Sequence, residues 1–240
     1  MTIQEQLNEI KTEKENIKTV LINKGIHLTG ISFTEYHNIL KDYNFQIPIE
    51  TTLTSTVNNT SIHYGATVTI SGTISATDST ILSGQTVTLY NDTTSVGTAT
   101  IDSTGAYSLT YTVQTMTSPN LTVKYAGKGL YTASTSEVPV LTISKADTVL
   151  TLTSNKTSAS TGETVTLTAT LVDINGNPVN GATINFMEGS STLYSGITNS
   201  LGAISYNYSS SSGGTKSLQC SFNGDINYNA SNSNLINVNI

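Results

Sequence analysis

The sequence has no arginine and no tryptophan, one cysteine and four prolines, and only 11% of its residues are charged. Each shortage excludes something. Ten cationic side chains, all lysine, against sixteen acidic ones leave a net charge of −6. Nucleic acid is therefore not an expected partner, because neutralising phosphates needs a basic face. An anionic membrane surface is excluded for the same reason. A lone cysteine, Cys220, cannot form an internal disulfide, so the fold must stand on its core. No run of about 18 apolar residues exists, so no membrane insertion is expected. The N-terminus is charged from Glu5 onward and lacks the apolar segment of a secretory signal, so the chain is expected to start as a cytosolic product.

Catalytic patterns are equally scarce. His27, His37 and His63 lack zinc-ligand spacing, and no G-x-S-x-G elbow, phosphate-binding loop or dinucleotide fingerprint occurs. Glu163 and Glu188 could form a carboxylate pair, but they read as isolated surface residues. No cofactor, metal or catalytic residue is expected, and the chain reads as a non-enzyme.

What is present divides near Pro48. Residues 1–48 are rich in Glu, Lys, Ile and Leu. Thr2 and Glu5 form a capping box, and Ile3, Leu7, Ile10, Ile17 and Leu21 follow a heptad seam with Lys14 at the skipped position. Leu at a and Ile at d favours three or more strands over two. Ser32 and Glu35 cap a second segment, in which Phe33, Tyr36, Ile39 and Leu40 make an apolar stripe. The spacing predicts helices over 3–24 and 33–43. A helix with one apolar stripe needs a partner, which is the second helix, copies of itself, or a host structure. These residues are the candidates for oligomerisation and attachment, with a homotrimer favoured.

Beyond Pro48, Thr, Ser, Val, Asn and Gly dominate, and the chain repeats itself. Gly65 and Gly162 lie 162 − 65 = 97 residues apart, and that offset also relates Gly84 to Gly181, Gly105 to Gly202, Gly127 to Gly224 and Tyr131 to Tyr228. One register without a net gap marks a duplication, with units at 49–146 and 147–240. Lys145-Ala146-Asp147 reads as a tight joint. Within each unit apolar and Thr/Ser residues alternate, as in QTVTLYND (85–92) and ATINFMEG (182–189). Short β-branched strands in this number predict a mainly β protein: two tandem immunoglobulin-like β-sandwiches behind an N-terminal α-helical segment. Cys220 aligns with Val123 and is expected to be a buried apolar residue.

The stretch FNGDINYNAS (222–231) spaces Asn223, Asp225, Asn227 and Asn229 like ligands of a hard cation. Its sister YAGKGLYTAS (125–134) has Ala126, Lys128, Leu130 and Thr132 there. The loop therefore reads as a turn, held by its aromatic, its glycine and a tyrosine whose hydroxyl finds a backbone partner. Asp173-Ile-Asn-Gly-Asn-Pro178 reads as a second turn rather than a calcium site.

The paired stretches, with T-G-E-T-V-T-L and Y-G-A-T-V-T-I upstream of them, resemble bacterial Ig-like (Big) domains, and DINGNPVNGATINF (173–186) is similar to the invasin type. Lys128 departs from the aspartate usual at that position. Residues 7–43 resemble the N-terminal segment of phage structural proteins that carry β-rich appendages. Together the resemblances imply a virion surface protein, a phage fibre or decoration protein of head or tail. It would be assembled in the host cytoplasm and attached to other virion proteins (capsid, neck or tail) by its N-terminus. Weak adhesion to a host-surface glycan would be a further role, and a cell-surface adhesin stalk is the alternative. An accessory carbohydrate-binding module would instead present aromatics on one face, with Tyr107, Tyr111, Tyr206 and Tyr208 as candidates.

Overall fold

The computed structural model describes residues 48–240 and, before them, the isolated helical positions Gln4, Asn8, Thr12, Glu15, Asn16, Lys18, Thr19 and Asn23. The attachment candidates Ile3, Leu7, Ile10, Ile17, Leu21, Phe33, Tyr36, Ile39 and Leu40 lie outside the described residues. Ile49–Ile240 forms one unit by itself.

Alternating side chains bury every second residue, and this divides the strands between two facing layers. In the first half, β1 (Thr51–Leu53) and β2 (Thr56–Val57) pair with β4 (Thr67–Ala76), and β4 pairs with β7 (Ala106–Thr112). The opposite sheet runs β6 (Thr94–Thr100), β5 (Thr86–Asn91), β8 (Leu121–Tyr125), β9 (Ser134–Glu137). A parallel pair, β3 (Ser61–His63) with β10 (Thr142–Ser144), closes one side. Val68, Ile70, Val87, Leu89 and Val123 meet between the layers with 1% exposure or less.

The second half repeats this plan. β11 (Thr148–Ser154), β12 (Val165–Asp173) and β15 (Ala203–Tyr208) form one sheet. β14 (Ser191–Ile197), β13 (Thr183–Glu188) and β16 (Thr215–Phe222), with β17 (Ser231–Asn232) and β18 (Ile236–Asn239) on β16, form the other. Val165, Leu167, Ile184, Phe186, Leu218 and Cys220 fill its core. The tandem immunoglobulin-type sandwiches read from the sequence are thus the architecture of the described chain.

The duplication extends to single contacts. Thr51 Oγ1 donates to Ser134 Oγ, and its counterpart Thr148 Oγ1 meets Ser231 Oγ, both at 2.7 Å. Asn58 Oδ1 accepts from Thr69 N and Asn155 Oδ1 from Thr166 N, both at 2.9 Å. Asp102 and Asn199 accept from the backbone of equivalent turns.

One strand differs between the copies. Tyr107 faces Gly72 across the β4–β7 pair, and its hydroxyl reaches Thr54 O at 2.5 Å and Ser55 Oγ at 2.7 Å. A β-carbon at Gly72 would stand 1.8 Å from Thr54 O. Where β1 and β2 are separate pieces, the second half has the continuous β11, and there the matching pair is Ala169 and Ile204. Glycine thus makes room for a tyrosine that ties down the interrupted strand.

This geometry can be tested by substitution. Gly72→Ala should cost about 2–3 kcal/mol or more by overpacking against fixed backbone, measured by urea unfolding, whereas Ala169→Gly should cost only about 1 kcal/mol. Ser79 has φ 62° where its sister Gly176 has φ 84°. Ser79→Gly relieves the left-handed strain and should stabilise the protein by up to about 1 kcal/mol; an unchanged or lower unfolding midpoint would contradict this.

Candidate functional site

The two Asp/Asn loops are self-satisfied turns. Asp225 N donates to Tyr228 O at 3.0 Å, and Asp225 Oδ1 accepts from Asn227 N and Tyr228 N, each at 2.8 Å. In the sister loop Lys128 N donates to Tyr131 O at 3.1 Å, so the same backbone turn forms without the carboxylate. Asp173 is 5% exposed, and its oxygens accept from Asn175 N, Asn177 N and Asn177 Nδ2. Among the described residues no group of three His, Cys, Asp or Glu side chains could hold a metal ion. No helix among them is long and apolar enough to cross a membrane.

The tyrosines of these loops differ from the expectation of a backbone partner. Tyr131 Oη donates to the side chain of Asp78 at 3.3 Å. Tyr228 instead packs edge-on against Tyr64 of the first sandwich, centroids 5.4 Å apart and planes at 82°. Burial first, then Tyr64, Asp173 and Asp225, raise the pKa of Tyr228. These residues gather where the two sandwiches meet.

That meeting point is built on the joint. Ala146 is fully buried; its N donates to Asn227 O at 2.9 Å, and its carbonyl accepts from Asn229 N at 2.8 Å. Ile49 makes the matching pair with Leu130 O and Thr132 N at the start of the first sandwich. Lys145 Nζ donates to Asp225 O, and Ile174 N to Asp147 O at 3.0 Å. All three joint residues are therefore held by the second sandwich. Tyr64 N bonds Ser144 O at 2.9 Å, which anchors the tyrosine to the strand leading into the joint.

A cleft of about 210 Å³ opens beside this joint. Gly181, Ala182, Thr183 and Asn185 line one wall, and Phe222, Asn223, Gly224 and Asp225 the other. In the first sandwich Tyr125 Oη bonds Gln85 Oε1 at the equivalent place. Ala182 and Phe222, both buried in the second core, occupy the matching positions and make no such bond.

The other candidates are placed as follows. Tyr107 and Tyr208 are buried at 4% and 2% exposure, and Tyr111 packs against the first core. They line no open face. Tyr206 stacks on the exposed Tyr194 (5.0 Å, 6°), with Phe186 beneath both. Sequence pattern alone missed this stack because Tyr194 replaces Gly97 and Tyr206 replaces Leu109 in the sister copy. Glu163 and Glu188 are not isolated. Glu163 is hydrogen-bonded to Lys156 and to Ser160 N, and these bonds hold its carboxyl below the usual range. Glu188 accepts from Tyr208 Oη at 3.0 Å. Burial pushes the Cys220 thiol up to about 12.

Two outcomes are expected. Tyr64→Ala leaves the Ala146 hydrogen bonds in place and so should loosen the sandwiches without freeing them, seen as a shorter common rotational correlation time for residues 49–144 and 148–240 in nitrogen-15 relaxation; an unchanged time would show that the aromatic contact contributes nothing. Cys220 should resist a thiol reagent at about pH 8 in native buffer and react fully in denaturant.

Comparison with known proteins places this fold. No curated protein sequence matches the chain. Among solved structures, the bacterial integrin-binding protein invasin matches with 19% identity and TM-score 0.53, over 79% of this chain and 39% of that one. The Yersinia pseudotuberculosis adhesin InvE matches with 16% identity and TM-score 0.37, over 79% and 59% respectively. The Escherichia coli adhesin FdeC matches with 20% identity and TM-score 0.32, over 78% and 63%. The chain thus spans less than two thirds of each of these proteins. The model of the bacterial Ig-like domain (group 3) matches twice, at residues 53–144 and 152–240, and the chain belongs to that family.

Proposed function

We propose that this chain is a non-catalytic surface appendage of a virus particle, attached through residues 1–48 and projecting its two Ig-like domains for weak, multivalent contact with host-surface glycans. The observation that carries the projecting role is the joint, where a buried Ala146 and an aromatic contact leave no free linker between the sandwiches. A spacer must transmit position, and a joint held by backbone hydrogen bonds does so where a flexible linker does not. Surface chemistry supports the contact role. Ser, Thr and Asn side chains on the outer sheet positions offer hydroxyls and amides at low charge, which suits individually weak contacts summed over many copies.

Attachment to a particle is supported by the likeness of residues 7–43 to phage structural segments and by their heptad seam. The family itself serves a cell-surface adhesin stalk equally well, and that is the second reading.

The test is the solution mass of the full chain beside residues 49–240, by light scattering after size exclusion. The expected result is a trimer for the full chain and a monomer for the shorter one. Two monomers would remove self-association through the seam. Antibody raised against residues 49–240 should then label purified particles; labelling of cell envelopes instead would replace the particle by the stalk.

A further inference from the structure

Asparagine followed by glycine occurs three times in the chain, at Asn175-Gly176, Asn180-Gly181 and Asn223-Gly224, always in the second sandwich. The pair is chemically labile. Glycine has no side chain to shield its amide nitrogen, which lies one ring closure away from the asparagine side-chain carbonyl. That nitrogen attacks only after losing its proton, so an N–H held by an acceptor is protected. Gly176 N donates to Asp173 O at 2.9 Å, and Gly181 N to Thr198 O at 3.0 Å. Gly224 N has no acceptor among the described residues, and Asn223 beside it is exposed.

Asn223 stands in the loop that holds the joint. Asn227 O of that loop accepts from Ala146 N, and Asn229 N donates to the Ala146 carbonyl. The loop has no slack at its base, because a β-carbon on Gly224 would stand 2.9 Å from both Tyr228 O and Ala230 N. The sister loop is packed as tightly. A β-carbon on Gly127 would stand 2.8 Å from Tyr131 O and 3.0 Å from Ala133 N, but Ala126 precedes that glycine. The clamp on Ile49 therefore lacks the reactive pair that the clamp on Ala146 carries.

We infer that Asn223 is a site of spontaneous deamidation, and that its conversion loosens the joint as the protein ages. Gly224 N, having given its proton to solvent base, attacks Asn223 Cγ. The new N–Cγ bond closes a five-membered imide, the Cγ–Nδ2 bond breaks, and the side-chain amide leaves as ammonia. Water then opens the ring at either carbonyl, giving aspartate or isoaspartate with no change of oxidation state. Isoaspartate routes the backbone through Cβ and Cγ, which adds one methylene before Gly224. With no slack against Tyr228 and Ala230, the added length displaces the residues that grip Ala146.

The test is ageing of the full chain in mildly alkaline buffer, native and in guanidinium, with each asparagine followed by peptide mass spectrometry and isoaspartate labelled by an isoaspartyl methyltransferase. In guanidinium the three pairs should convert at similar rates. In the native protein Asn223 should convert about fivefold faster than Asn175 or Asn180, the factor that one hydrogen bond on the attacking nitrogen supplies. The joint is read with a lysine-specific protease, because Ala146, which follows Lys145, is fully buried. Cleavage after Lys145 should rise as Asn223 converts. Asn223→Ala takes the residue of the sister loop, so it should fold, and over the same period its joint should stay uncut. Native conversion of Asn223 no faster than that of the other two would overturn the site. Conversion without added cleavage, or equal cleavage in aged Asn223→Ala, would overturn its action on the joint.

Discussion

Two backbone hydrogen bonds at Ala146 carry the relation between the halves of this molecule. The residue sits in the loop that follows β16 and exchanges an N–H and a carbonyl with Asn227 and Asn229. Only Lys145, Ala146 and Asp147 separate β10 from β11, so the chain cannot reach the second sandwich by any longer path. Buried backbone groups without partners cost free energy, and Ala146 is fully buried. The joint is therefore either docked in that loop or exposed at a penalty. The contact between Tyr64 and Tyr228 and the placing of Asp173 beside the turn at Gly65 follow from that docking.

The same clamp occurs at Ile49, which bonds Leu130 and Thr132 in the first sandwich. One element thus serves as the entry to a domain in one copy and as the connection between two domains in the other. The aromatic partner is not duplicated, because the counterpart of Tyr64 is Thr161. That tyrosine belongs to the side of the first sandwich that meets the second. Copies otherwise diverge in matched sets. Gly72 with Tyr107 stands against Ala169 with Ile204, and Gln85 with Tyr125 against Ala182 with Phe222. In each set one change makes sense only with the other, as close packing requires.

Much of this was legible in the sequence. The 97-residue offset exposed the duplication, and the alternation of β-branched residues exposed the sandwiches, because both depend on local spacing. It also resolved the Asp225 loop: a sister loop with Lys128 forms the same turn, so the turn could not depend on a bound ion. Contacts between distant strands were less accessible. The alternation gave no means of telling that Tyr228 would meet Tyr64, since their separation reflects how one sandwich stands on the other. Glu188 looked isolated because Tyr208, its partner, lies on a different sheet.

Low charge makes the edges of these sheets consequential. Strands such as β6 and β14 end their sheets, and unpaired edges invite pairing between molecules. Charged gatekeepers are absent there, since TSVGTAT and STLYSGI contain no lysine or acid. Both edges instead carry a register shift, between Leu89 and Tyr90 and between Phe186 and Met187 on the neighbouring strand, which distorts the ladder. In the second sandwich Tyr194 also covers the gap between β14 and β15 by stacking on Tyr206. Irregular edges protect against aggregation without electrostatic repulsion between copies.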